Sequence, residues 1–197
     1  MNQELRLKLL ELKDTDIKIR TQLVESGELF DGYNPEMEKV HKENAGQLKE
    51  IISKYGWPGK DLVGEDGTYA AWFILQHDIG EPDLIRSCIP LLEDAAQKGD
   101  FPKKYVAMTI DRVRIYEGKH QIYGTHYDWD DNGEMSPVSL EDQGRIDELR
   151  TSMDLPPLDE NLQRIREETQ KEGHKPPIDM GAYRKKAEDW YESAGWR

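Results

Sequence analysis

The chain has a single cysteine, Cys88. No intramolecular disulfide can form, and a reducing compartment fits. Cys88 sits inside the apolar run Leu84 to Leu92, which favours a buried, inert thiol over a nucleophile. Long hydrophobic runs are missing as well. The first ten residues alternate charge with leucine where a signal peptide would be continuously apolar, and no stretch is long enough to span a bilayer. The expectation is a cytoplasmic protein. Basic charge is scarce: 27 Lys and Arg stand against 40 Asp and Glu, a formal net charge of −13. That excess argues against binding of nucleic-acid phosphates and of anionic membrane surfaces. Lys103, Lys104, Arg112, Arg114, Lys119 and His120 lie close in sequence, either as a local basic groove or as a solvated helix flank. There is no Gly-rich phosphate loop, no Cys-x-x-Cys zinc pattern and no Gly-x-Ser-x-Gly elbow.

The 197 residues suffice for one compact domain with extensions. Apolar residues, 36% of the chain, concentrate between Tyr55 and Ile122, which places the core there. Leu5, Leu9, Leu12, Ile19 and Leu23 have helical spacing, and this first helix should end near Gly27. Phe30 to Asn34 reads as a turn, with Asn34-Pro35 as cap and first position of a second helix. A loop holding Leu62 to Gly67 should follow, with Thr68 capping a short helix from Tyr69 to about Asp78. The next helix should run to Gln97 and close at Gly99, with a kink at Pro90. Phe101-Pro102 opens a fifth helix with Val106, Ile110 and Val113 on its buried stripe. Residues 121–140 read as irregular structure or a hairpin around Asp131-Asn132-Gly133. Leu140 to Met153, Asp159 to Glu172 and Met180 to Ser193 complete the helices. The fold class is mainly α, a compact multi-helix domain with a small irregular or hairpin segment near 120–140. The expected organisation is a helical extension over 1–40, a core domain over 41–158, and a C-terminal helical extension over 159–197 packing on that core.

Chemistry-bearing residues gather in three places. His77 shares a helix face with Ala70, Phe73 and Ile74, and Gln76 and Asp78 flank it. It is either a satisfied core histidine or a general base kept neutral by burial. Asp111 and Arg114 can pair at i, i+3 on the fifth helix. The alternative is that Asp111 orients an imidazole while Arg112 offers a planar fork to a carboxylate or phosphate. Gly118 to Tyr127 packs two imidazoles, an amide, two phenols, a hydroxyl and two glycines into ten positions. There Gln121, Tyr123, Thr125 and His126 could position a ligand, or else form a hairpin with polar alternation. Asp128 to Glu134 imitates the start of a calcium loop, but Ser139 stands at the twelfth position, so an acidic exposed turn is the preferred reading. His41, His77-Asp78 and Asp111 loosely follow the H…HD…D order of metal-dependent phosphohydrolases. Trp190 and Trp196 read as packing anchors for the last helix.

Gly56-Trp57-Pro58, Gln76-His77, Asp111-Arg112 and Gly118-x-x-Gln121-x-Tyr123-Gly124-Thr125, in that order, resemble a family of bacterial proteins of unknown function. The likeness runs over roughly residues 41 to 158. His126 stands where a glutamine commonly follows in the family pattern. The resemblance implies a shared pocket and no particular reaction.

The functional expectation is an enzyme, a hydrolase or group transferase acting on a small polar or anionic molecule. His77 would be acid or base, Asp111 its orienter and Arg112 the anion ligand. Gln76, Arg114, Gln121, Tyr123, Thr125 and His126 would bind substrate. No metal ligands are assigned and no cofactor is specified. The alternative is an acidic, non-catalytic binding or inhibitor protein for a basic protein partner.

Overall fold

A computed structural model describes residues 1–28 and 33–197. The turn expected at Phe30 to Gly32 lies outside the described residues. Among the described residues there are eight α-helices and one two-stranded antiparallel sheet, a mainly α chain. It divides into two compact units, residues 1–102 and 103–197. This boundary falls inside the span expected to be a single core.

The first unit holds α1 (Gln3–Ser26), α2 (Pro35–Tyr55), α3 (Lys60–His77) and α4 (Pro82–Gln97). The Asn2 side chain caps α1, accepting from the Leu5 amide, and left-handed Gly27 ends it. Asn34 caps α2 by accepting from the Glu36 amide, with Pro35 pre-set for the first turn. α1 packs chiefly along α3, and α2 lies against both. Leu9, Leu48, Val63, Ala70, Ala71, Ile74, Leu75, Ile85 and Leu92 make the fully buried core of this unit. Cys88 is among the buried residues, and burial pushes its thiol up to about 11, which keeps it protonated.

The loop expected before Thr68 is helix instead. α3 begins at Lys60 and is interrupted at Gly64, whose φ of 77° and ψ of 171° re-aim the axis. Its N-terminus is satisfied from a distance. The Lys60 amide donates to the Asp100 carbonyl and the Asp61 amide to the Asp100 carboxylate. Thr68 therefore caps nothing; it is buried within the helix.

The second unit holds α5 (Lys103–Tyr116), β1 (Tyr127–Trp129), β2 (Met135–Pro137), α6 (Ile146–Ser152), α7 (Leu158–Glu172) and α8 (Met180–Ser193). A single 3₁₀ turn, Gln143–Arg145, leads into α6, so this helix is shorter than the expected Leu140 to Met153. The hairpin is present: Tyr127 pairs with Pro137 and Trp129 with Met135, and Gly133 takes a left-handed φ of 75° in the turn. On α5, Val106 and Val113 are buried, and Ile110 is half-buried. Tyr116 gathers Trp190, Tyr191 and Trp196 around it, with ring centroids 4.8–5.9 Å apart, which anchors the chain after α8.

Candidate functional site

Asp16 is an acid in an apolar stripe. It falls between Leu12 and Ile19 on α1, two turns after Leu9 on the face that buries Leu5 and Leu9, so the packing that buries those leucines buries the carboxylate completely. A buried carboxylate requires partners, and two imidazoles from two other helices supply them. His77, the last residue of α3, places Nδ1 2.9 Å from Asp16 Oδ1 and 3.0 Å from Oδ2. His41 of α2 places Nε2 3.1 Å from Asp16 Oδ2, but without the alignment that a hydrogen bond needs. Burial alone would raise the Asp16 carboxyl. The contacts from His41 and His77 outweigh it and hold the group at about 2, ionised throughout the physiological range.

Each imidazole is itself fixed. The His41 ring is buried, and its Nδ1 lies 2.7 Å from the Tyr33 hydroxyl. The His77 ring packs on Phe73 at a centroid distance of 3.9 Å, and its side chain is 28% exposed, the one edge of the cluster that reaches solvent. Among the described residues, Asp16, His41 and His77 are the one group of His, Cys, Asp or Glu side chains close enough to share an ion. Of the expected H…HD…D order, the two histidines come together, and the acid that joins them is Asp16. Asp78 is buried with neither carboxylate oxygen hydrogen-bonded. Burial, reinforced by Glu81 and opposed by Lys49, pushes its carboxyl up to about 8, so it is a neutral acid at pH 7. Gln76, the residue before half-exposed His77, is buried.

In the second unit the expected site residues are engaged with the backbone or with neighbouring side chains, Asp111, Arg114 and Gln121 with the backbone. Asp111 is fully buried on α5. Its carboxylate accepts from the amides of Ile122, Tyr123 and Thr125 and from the Thr125 hydroxyl at 2.8–3.2 Å. Burial raises the Asp111 carboxyl above its ordinary value, against the pull of these donors. Gln121 spends both amide ends in the same way. Its Oε1 accepts from the His126 amide at 2.8 Å, and its Nε2 donates to the carbonyls of His126 and Val138. The Thr125 hydroxyl proton goes to Asp111, so His126 Nδ1, 3.1 Å from that oxygen, is the donor to it. Burial, with the Arg112 guanidinium adding to it, lowers His126 to about 3 and keeps the ring neutral. Arg112 donates to the Tyr116 hydroxyl at 3.0 Å. Arg114 pairs with Glu141 and also donates to the His120 carbonyl. Tyr123 is half-buried, and its carbonyl, with those of Gly124 and Pro156, accepts from the guanidinium of Arg150. The acidic turn is likewise engaged: Asp130 accepts from two amides and from Ser136, Asp131 pairs with Arg184, and Glu134 with Arg166.

The expected residues thus form two groups, one in each unit. The carboxylate that orients His77 is Asp16, and Asp111 holds the loop after α5. Asp16 and Arg150 were not singled out from sequence. The signal for Asp16 was an acid interrupting a leucine stripe, which marks a position buried with a partner. Arg150 carried no such signal, because its acceptors are carbonyls.

No curated protein and no solved structure matches this chain. A family model, described as a family of unknown function (DUF6624), matches residues 3–172. The match reaches beyond the span of the motifs at both ends, taking in Asp16 on α1 and all of α7. With most of its length inside that model, the chain belongs to the family of unknown function DUF6624.

Proposed function

We propose that the chain is an enzyme, a hydrolase or group transferase for a small polar substrate, with its chemistry centred on His77. One observation carries this reading. His77 is held by a buried, ionised carboxylate through one ring nitrogen, while its other ring nitrogen has no hydrogen-bond partner among the described residues. A proton on Nδ1 directed at Asp16 leaves the Nε2 lone pair free to take a proton from an attacking hydroxyl or water. The fixed carboxylate then stabilises the imidazolium that results. Asp16 is a positioning residue in this scheme. Arg112 is bonded to Tyr116 and Arg114 to Glu141, so the proposal is for a polar substrate and not specifically an anionic one. A reducing compartment suits the lone, buried thiol of Cys88.

The competing reading, an acidic partner-binding protein, keeps the net charge in its favour. In the turn that would carry it, Asp131 and Glu134 are already paired with Arg184 and Arg166, which halves its free negative charge.

The test is hydrolysis and transfer on a panel of small esters, amides and phosphate esters. His77→Ala should abolish whatever activity the chain shows; because it also strips the buried Asp16 carboxylate of its aligned donor, a lower melting temperature is expected, and the assay is run below that transition with the fold checked by circular dichroism. Asp16→Asn should lower kcat and shift the acidic limb of its pH profile. Full activity in His77→Ala would end the proposal.

A further inference from the structure

We propose that Asp16, His41 and His77 form a binding site for one divalent transition-metal ion of the zinc class. The proposal shares its residues with the enzyme reading and rests on that reading for its catalytic consequence alone; ion binding stands by itself. The donor set comprises two imidazole nitrogens and one carboxylate, and all the ligand atoms lie within 4.8 Å of one another. Zinc takes such donors at about 2.0–2.2 Å, so donors sharing an ion stand no more than about 4 Å apart. Asp16 Oδ2 already meets that condition with both imidazoles, standing 3.0 Å from His77 Nδ1 and 3.1 Å from His41 Nε2. Imidazole with carboxylate suits zinc, iron(II) and cobalt(II) better than calcium or magnesium.

The second observation is His41. Its Nε2 is buried and unpartnered, although a carboxylate oxygen stands 3.1 Å away. Consider the tautomers. If Nδ1 carries the proton and donates to the Tyr33 hydroxyl, then Nε2 turns a lone pair towards an anion. If Nε2 carries the proton, it is badly aimed for a hydrogen bond. A cation between Nε2 and Asp16 resolves the first case and makes use of the Tyr33 contact. Metal-bound histidines commonly hold their second nitrogen in this way, which fixes the tautomer and makes the ligating nitrogen more basic.

The site is also open on one side. Asp16 and His41 are buried, but His77 is 28% exposed, so a fourth position at its edge is accessible to water. Three protein ligands with an open position is the arrangement of catalytic rather than structural zinc. His77 would hold the ion through Nδ1, with Asp16 and His41 Nε2 as the other ligands, and the ion would supply Lewis-acid chemistry at this edge in place of the imidazole base.

The experiment uses the untagged full chain, stripped with a chelator and titrated with Co²⁺, then with Zn²⁺ in competition. Binding is read by the cobalt visible bands and by elemental analysis. The expected result is one ion per chain, with affinity about 100-fold or more lower in His77→Ala and His41→Ala. Tyr33→Phe keeps all three donors, so it should weaken binding by about 10-fold. It also preserves the test should His41→Ala fail to fold, as judged by circular dichroism. No saturable binding, or equal affinity in His77→Ala and the parent, overturns the metal site. Binding with these effects but no activity on any substrate leaves the site standing and removes the enzyme. Activity that depends on His77 yet survives chelation, in a chain that binds no ion, does the reverse.

Discussion

At the scale of the residue, the two groups of polar side chains show how alike a binding cluster and a structural one look in sequence. Asp111, Gln121 and Thr125 are dense in chemistry because an irregular segment leaves amides and carbonyls without ladder partners, and buried side chains must satisfy them. The three residues of the first unit converge on one another instead. His126 gives a measurable consequence. Its pKa falls from an unfolded value of about 6.5 to about 3 in the fold. Below about pH 6.5 the unfolded chain takes up a proton that the folded ring refuses, so this residue lowers stability progressively as pH falls towards 3. His126→Gln removes that contribution. Urea unfolding of parent and variant at pH 7 and near pH 4 should show a smaller acid loss in the variant, by up to about 1.4 kcal/mol per pH unit. An identical loss in both would show that the folded ring protonates normally.

Most helices could be read in the pattern of the chain, because their signals are local. α1 has its leucine stripe and Gly27, α2 its Asn34-Pro35 start, and α8 its bounds. The start of α3 was not legible. Gly64 and Gly67 resemble loop residues, and the group that satisfies the first amides of the helix is Asp100, 39 residues from Asp61. Gly67 is buried against Val63, where a methyl group would approach within 2.8 Å. The candidate site was half legible for the same reason. His77 stood out on its own helix, but its partner lies 61 residues away, and no local pattern links them. Two substitutions test the local devices. Asn34→Ala removes the cap of α2, the helix that carries His41, and should cost about 1 kcal/mol in thermal or urea melts. Gly124 holds a φ of 61°, and a Cβ there would lie 3.1 Å from both Leu140 and Leu158. Gly124→Ala should therefore cost about 2 kcal/mol or more by the same measurement. A neutral result would mean that this turn relaxes freely.

At the scale of the whole molecule, charge is the dominant feature. A net −13 disfavours the compact state through self-repulsion. Mobile cations screen that repulsion, so the melting temperature should rise from low to physiological ionic strength, a shift that scanning calorimetry can measure. A flat response would show that local pairs such as Lys49 with Glu81 and Lys185 with Asp189 already balance the field. No helix among the described residues is long and apolar enough to cross a membrane.

The division into two units bears on how the chain is made. Asp16, His41 and His77 come from three successive helices of the first unit, so the cluster is incomplete until the end of α3 has been synthesised. A ribosome that has released the first hundred or so residues has released every ligand of the proposed site, while the second unit is still being translated. Free metal in the cell could then fasten those helices together during synthesis and assist the folding of the growing chain.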